Sequence, residues 1–126
     1  MTNPLALIIE DDPNLSILFT EAMRRAGFAV QTIVDGQTAL TELSQLTPQV
    51  IILDLHLPKV SGKTILQYLR ADDRLAQTYV ILTTADPLTA ETLRPMANLV
   101  LIKPISFFQL HDLAVRISSR FASEAK

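Results

Sequence analysis

Apolar runs alternating with helix-periodic stretches predict an α/β fold: a doubly wound, five-stranded parallel sheet with five helices on its faces. Two observations carry this prediction. The strand-like runs are nearly continuous in apolar residues rather than alternating, as in strands covered on both faces. Between them, apolar residues recur at helical spacing and are bounded by Gly, Pro and Asp, so each connection reads as a crossover helix.

Leu5–Ile9 is the first strand. Leu15, Leu18, Phe19, Ala22, Met23 and Ala26 then mark a helix that Gly27 stops, and Phe28–Val34 is the second strand. Asp35-Gly36 caps a helix carrying Ala39, Leu40, Leu43 and Leu46, which Pro48 ends. Val50–Asp54 is the third strand. Gly62 breaks the loop after it, and Ile65, Leu66 and Leu69 line a short helix up to Ala71. Tyr79–Thr83 is the fourth strand, followed over Asp86–Met96 by a weak, short helix with Pro at both ends. Leu99–Ile102 is the fifth strand, and Phe107, Leu110, Leu113, Ala114 and Ile117 mark a final amphipathic helix. The apolar pattern lapses after Phe121, which predicts a core over about 4–121 and a frayed tail within a single domain, 1–126.

Composition narrows the function classes. With 126 residues, 48% apolar, the chain has a modest core packed by Leu, Ile, Val and Ala, because Trp is absent and aromatics are few. A net charge of −2 without a basic cluster predicts no direct nucleic-acid binding. The absence of cysteine excludes disulfides, thiolate metal sites and cysteine nucleophiles. Met1-Thr2-Asn3-Pro4 has no basic region ahead of an apolar stretch, and no run reaches the length of a membrane span, so a cytoplasmic protein is expected. Met1 lying close to the first strand predicts a natural start. Beyond the last helix, either a stand-alone domain or one cut from a longer chain remains open.

The chemistry collects where strands end. In an open α/β sheet, ligands bind beyond the carboxyl ends of the strands. Here those ends carry Glu10-Asp11-Asp12, Asp54, Thr83-Thr84 and Lys103-Pro104. Three adjacent carboxylates repel unless a cation neutralises them, and hard oxygen donors suit Mg²⁺. Taken alone, the same acids serve equally well as a helix N-terminus. Asp12 before Pro13 fits a cap, so the cation is assigned mainly to Glu10 and Asp11, with Asp12 as an additional candidate. Asp54 is either a turn residue or a nucleophile that attacks phosphorus to form an acyl phosphate. Lys103 and Thr84 then offer an ammonium and a hydroxyl to phosphoryl oxygens. Lys103-Pro104 is also a candidate cis peptide. Leu57-Pro58 and Gly62 shape the loop that would bring the His56 carbonyl toward the metal. The His56 side chain itself is an ordinary loop histidine. With His111 far along the chain, no histidine metal cluster or Ser-His-Asp triad assembles, and three dispersed glycines make no phosphate loop.

This ordered set resembles the receiver domain of two-component response regulators over essentially the whole chain. The resemblance rests on Glu10-Asp11, on Asp54-Leu55-His56-Leu57-Pro58 with Gly62 eight residues past the Asp, and on Thr84-Ala85 and Lys103-Pro104. It implies a flavodoxin-like (CheY-like) strand order 2-1-3-4-5. It also implies phosphorylation of Asp54 by the phosphohistidine of a histidine kinase or phosphotransfer protein, with Mg²⁺ held by Glu10, Asp11, Asp54 and the His56 carbonyl. Thr84 and Lys103 would bind the phosphoryl group and thereby switch binding of an output protein. Such a domain is not a conventional enzyme, since it promotes only its own phosphorylation and dephosphorylation.

Two departures from the family pattern stand out. Val100 occupies the position three before the Lys, where Tyr or Phe is usual, which predicts a muted switch. The nineteen residues from Thr84 to Lys103 are about three fewer than in many members, and Pro95-Met96-Ala97 replaces the usual Ala-Gly turn, which predicts a short or distorted fourth helix. His56 and Asp86, two past Asp54 and Thr84, occupy the positions that tune autodephosphorylation in receivers; Asp86 either orders the attacking water or repels the phosphoryl group, and without an effect on that rate it is a helix cap. The competing readings are a receiver-fold interaction module that signals without phosphorylation, which retention of all four chemical positions disfavours, and an aspartate-nucleophile phosphatase. The latter wants a second Asp where this chain has His56.

Overall fold

The computed structural model describes residues 3–124, with side chains described to Phe121. It forms one five-stranded, fully parallel sheet in the order β2-β1-β3-β4-β5. The strands are β1 (Leu5–Ile9), β2 (Ala29–Ile33), β3 (Val50–Asp54), β4 (Tyr79–Thr84) and β5 (Leu99–Ile102). Between and after them lie α1 (Pro13–Arg25), α2 (Gly36–Leu43), α3 (Gly62–Ala71), α4 (Pro87–Leu93) and α5 (Phe107–Glu124). The flavodoxin-like strand order and the five helices agree with expectation.

Strand alternation divides the core into two layers. Leu7, Ile9, Ile51, Leu53, Val80 and Leu82 face α2, α3 and α4. Ala6, Ile8, Val50, Ile52, Ile81 and Leu101 face α1 and α5. All five residues of β3 are buried, as its central position requires.

Two helix ends differ from those the sequence predicts. α2 stops at Leu43, short of Leu46, and Leu46 packs on the core from the following turn. The reason is Arg74, whose guanidinium donates to the carbonyls of Leu43 and Leu46 and to the Thr47 hydroxyl, ending the helix by satisfying its last acceptors from outside. α5 continues to Glu124, so Ser118–Glu124 is helical rather than frayed; Phe121 stacks edge-on against Phe28 at 6.3 Å and anchors this last stretch. The expected fraying of 125–126 lies outside the described residues. α4 agrees with expectation: it spans only seven residues and tightens into a 3₁₀ turn over Arg94–Met96, the short, distorted helix that the length deficit and Pro95-Met96-Ala97 predict.

Candidate functional site: an acidic pocket at the carboxyl edge of the sheet

Strand ends β1, β3, β4 and β5 deliver the site, and local sequence fixes each arm. Asp54 is the last residue of β3 and is 2% exposed. The chain turns immediately after it: Leu55 N–H bonds Thr83 O at 3.1 Å, and Gly62 N–H bonds Leu55 O at 3.1 Å. Gly62 is there because the start of α3 lies against the Asp54 peptide. A Cβ on it would stand 2.2 Å from Asp54 O, so no other residue lets the loop close this tightly. Within the loop Lys59 takes a positive φ of 72°, which completes the turn.

Glu10 follows β1 and is buried at 1% exposure, while Asp11 is exposed. Carboxylate oxygens of Glu10, Asp11 and Asp54 lie within 4.8 Å of one another, an all-oxygen set able to hold a metal ion. Asp12 does not join them. Its Oδ1 accepts from Asn14 N at 2.9 Å and Leu15 N at 3.2 Å, so it is the N-cap of α1 ahead of Pro13.

The Lys103 ammonium reaches into this set, 3.1 Å from Glu10 Oε1 and 3.4 Å from Asp54 Oδ2. The other oxygens are held by backbone donors: His56 N–H to Asp54 Oδ1 and Asp12 N–H to Glu10 Oε2, each at 3.1 Å. Lys103 is itself registered by its own N–H on Thr84 O at 2.8 Å, and the peptide to Pro104 is cis, as the Lys-Pro pair allowed. Burial raises the pKa of Glu10 to about 7, with the Asp54 carboxylate adding to the rise while backbone and Lys103 hydrogen bonds oppose it. For Lys103, burial pushes the other way, but the Glu10 and Asp54 carboxylates outweigh it and leave the pKa above its usual value.

Thr84 is fully buried, and its Oγ accepts from Asp86 N–H at 3.0 Å. The Asp86 carboxylate is turned away into α4. It accepts from Leu88 N, Thr89 N and, at 2.5 Å, the Thr89 hydroxyl, which together lower its pKa. Of the roles open to Asp86, capping is the one these contacts describe. The His56 side chain is exposed; only its backbone N–H touches Asp54. Val100 is buried in the layer that includes Ala90 and Leu93 of α4, and fills its place as a packing residue.

Two features went unread in the sequence. One is that Lys103 pairs with Glu10 as well as with Asp54; strand order, not spacing, brings β5 within reach of β1. The other is Thr83, one residue before Thr84, which is 1% exposed with an Oγ that has no hydrogen-bond partner among the described residues. A second hydroxyl at the strand end was its only signal.

The family model described as the response regulator receiver domain matches residues 6–115. The DNA-binding dual master transcriptional regulator RpaA of Synechocystis is 46% identical over 82 residues, 65% of this chain and 34% of that protein. The DNA-binding response regulator MtrA of Mycolicibacterium smegmatis is 32% identical over 117 residues, 90% of this chain and 49% of that protein. The chain thus spans half the length, or less, of these curated relatives. Among solved structures, the chemotaxis response regulator CheY4 of Vibrio cholerae superposes with a TM-score of 0.83 at 23% identity, over 92% of this chain and 99% of that one, a likeness of fold.

Proposed function

This chain belongs to the response regulator receiver domains of two-component systems, and from that premise we propose that it accepts a phosphoryl group on Asp54 in a Mg²⁺-dependent reaction. The observation that carries the reading is the convergence of Glu10, Asp11 and the Lys103 ammonium on the buried Asp54 carboxylate. Glu10, Asp11, Asp54 and the His56 carbonyl would hold the ion, and their all-oxygen donor set fits it. When bound, the ion neutralises the carboxylates and the incoming phosphoryl oxygens.

The donor is a phosphohistidine on a histidine kinase or phosphotransfer protein. An Asp54 oxygen attacks phosphorus, the P–O bond forms as the P–N bond breaks, and the electron pair returns to the imidazole. Asp54 is oriented for this by the His56 N–H on its other oxygen. Lys103 follows the charge onto a phosphoryl oxygen. Thr84 Oγ accepts from Asp86 N–H, which leaves its own O–H proton to donate to another. The domain promotes its own phosphorylation and dephosphorylation and performs no other catalysis. Its product is a changed surface for an output protein in the cytoplasm. The DNA binding named in its relatives belongs in this reading to parts of those proteins outside the matched segment, since the chain carries a net charge of −2 and no basic stripe.

The test is intact-mass measurement with acetyl phosphate and MgCl₂. Addition of one phosphoryl group to the wild type, abolished by EDTA and by Asp54→Asn, is the expected result. An unmodified wild type, or a modified Asp54→Asn protein, overturns the reading.

A further inference from the structure

Thr83 poses a problem of hydrogen-bond accounting. A buried hydroxyl without a partner is disfavoured by about 1–3 kcal/mol, yet Thr83 Oγ has none among the described residues. Its place in the sheet shows what could supply one. Thr83 is the register partner of Asp54 on β3 and of Leu101 on β5. Register partners in a parallel sheet share a face. Ile8, Ile52, Ile81 and Leu101 all face α1 and α5, so two residues further on Glu10, Asp54 and Thr83 follow the same face. Lys103 stands two residues past Leu101 and continues that row.

To reach Asp54 and Glu10, the Lys103 side chain leaves β5 and crosses the end of β4, since β3 lies two strands away, roughly 10 Å. The residue of β4 on that face at the level of Asp54 is Thr83, two residues short of the level of Lys103 itself. An ammonium has three donors and no acceptor, and in the resting site its two partners are carboxylates that are also the candidate cation ligands. A divalent cation on Glu10 and Asp54 competes with the ammonium for the same oxygens and repels it at close range. Lys103, released from them, needs a neutral acceptor close to Asp54.

We propose that Thr83 is a positioning residue for Lys103: its Oγ, unpartnered at rest, receives the ammonium when the Glu10 and Asp54 carboxylates take a cation, and so keeps Lys103 poised over the phosphoryl-accepting oxygen. This rests on the receiver reading above and adds a residue to it. The hydroxyl is a device of the cation-loaded state rather than of the resting fold.

The experiment compares wild type, Thr83→Val and Thr83→Ser by three readouts: melting temperature in EDTA, Mg²⁺ affinity by calorimetry, and the rate of acyl phosphate formation from acetyl phosphate at saturating Mg²⁺. Val keeps the shape and deletes the hydroxyl; Ser keeps the hydroxyl. Thr83→Val is expected to melt no lower than wild type in EDTA, yet to bind Mg²⁺ and to phosphorylate about tenfold more weakly and slowly, the effect of one hydrogen bond. Thr83→Ser recovers both to within about threefold of wild type. Unchanged affinity and rate in Thr83→Val overturn the proposal, as does a Thr83→Ser protein that recovers neither. A fall in the EDTA melting temperature of Thr83→Val that Thr83→Ser reverses also overturns it, because the hydroxyl would then serve the resting fold. A wild type that binds Mg²⁺ but forms no acyl phosphate would instead defeat the receiver reading, and the affinity comparison would still judge Thr83.

Discussion

At the scale of single residues, the site is an exercise in holding like charges together. Glu10 is buried beside Asp54 with Lys103 as the shared counter-ion, and burial raises its pKa from 4.5 to about 7. A carboxyl whose folded pKa lies above its unfolded value adds stability that is fully present below pH 4.5 and is lost as the pH rises through 7. In metal-free buffer, Glu10→Gln is therefore expected to gain stability relative to wild type between pH 5 and pH 8, which urea melts in EDTA at the two values would show. Asp86 has the opposite sign. Hydrogen bonds from Thr89 and Leu88 hold its pKa below 3.8, so its contribution is present above that value and lost in acid. Asp86→Ala removes the α4 cap and should lower stability at neutral pH. Because its carboxylate is spent on α4, the lifetime of the acyl phosphate should stay within about twofold of wild type, measured by its decay after the phosphodonor is removed. A much longer lifetime would return Asp86 to the role of water-orienting residue.

At the scale of elements, the unusual connection is the one from β4 to β5. Seven residues of α4 pass into a 3₁₀ turn at Pro95, and the turn is held from α3 rather than by a glycine. Arg70 Nε donates to Met96 O at 2.7 Å, Nη1 to Ala76 O and Thr78 O, and Nη2 to the Asn98 side chain, which in turn accepts from Val80 N–H at 2.8 Å. One guanidinium thus ties the α3–β4 and α4–β5 connections together at the amino edge of the sheet, opposite the acidic pocket, and its planar fork suits several fixed carbonyls at once. Arg70→Met keeps the stem and strands those acceptors. It should lower stability by roughly 2–3 kcal/mol and speed amide exchange over residues 94–98 while leaving Asp54 phosphorylation intact. Exchange rates unchanged in that segment would show that Pro95 alone sets the turn. The family resemblance supplied the length deficit behind this element, and Pro95 its reason; the Arg70 clamp was not legible, because its partners lie 6 to 28 residues away along the chain.

At the scale of the whole molecule, the two core layers make the strand ends one rigid platform. Glu10 and Asp11 on one side and Asp54 on the other are joined by the β1–β3 ladder and the Lys103 bridge. A cation bound between them stabilises the entire fold by mass action, since the unfolded chain holds no such set. Millimolar MgCl₂ is expected to raise the melting temperature of the wild type and to do so much less for Asp54→Asn, read by thermal melts at constant ionic strength. An equal rise in both would place the stabilising ion elsewhere.

Periodicity and strand-end chemistry by themselves determined the fold class, the order of the elements and the identity of the acidic, hydroxyl and ammonium groups. Burial patterns and turn residues are local properties of the chain, and each strand end advertises its own polar residue. Tertiary structure alone decided which of those residues meet. Asp12 goes to a helix cap while Asp11 joins Glu10 and Asp54; Asp86 turns to α4; Lys103 reaches carboxylates at the ends of β1 and β3; and Thr83, given no role in the sequence, lies in register beside Asp54. Those outcomes depend on strand order and register, which hydrogen bonding between distant segments fixes and no local pattern encodes.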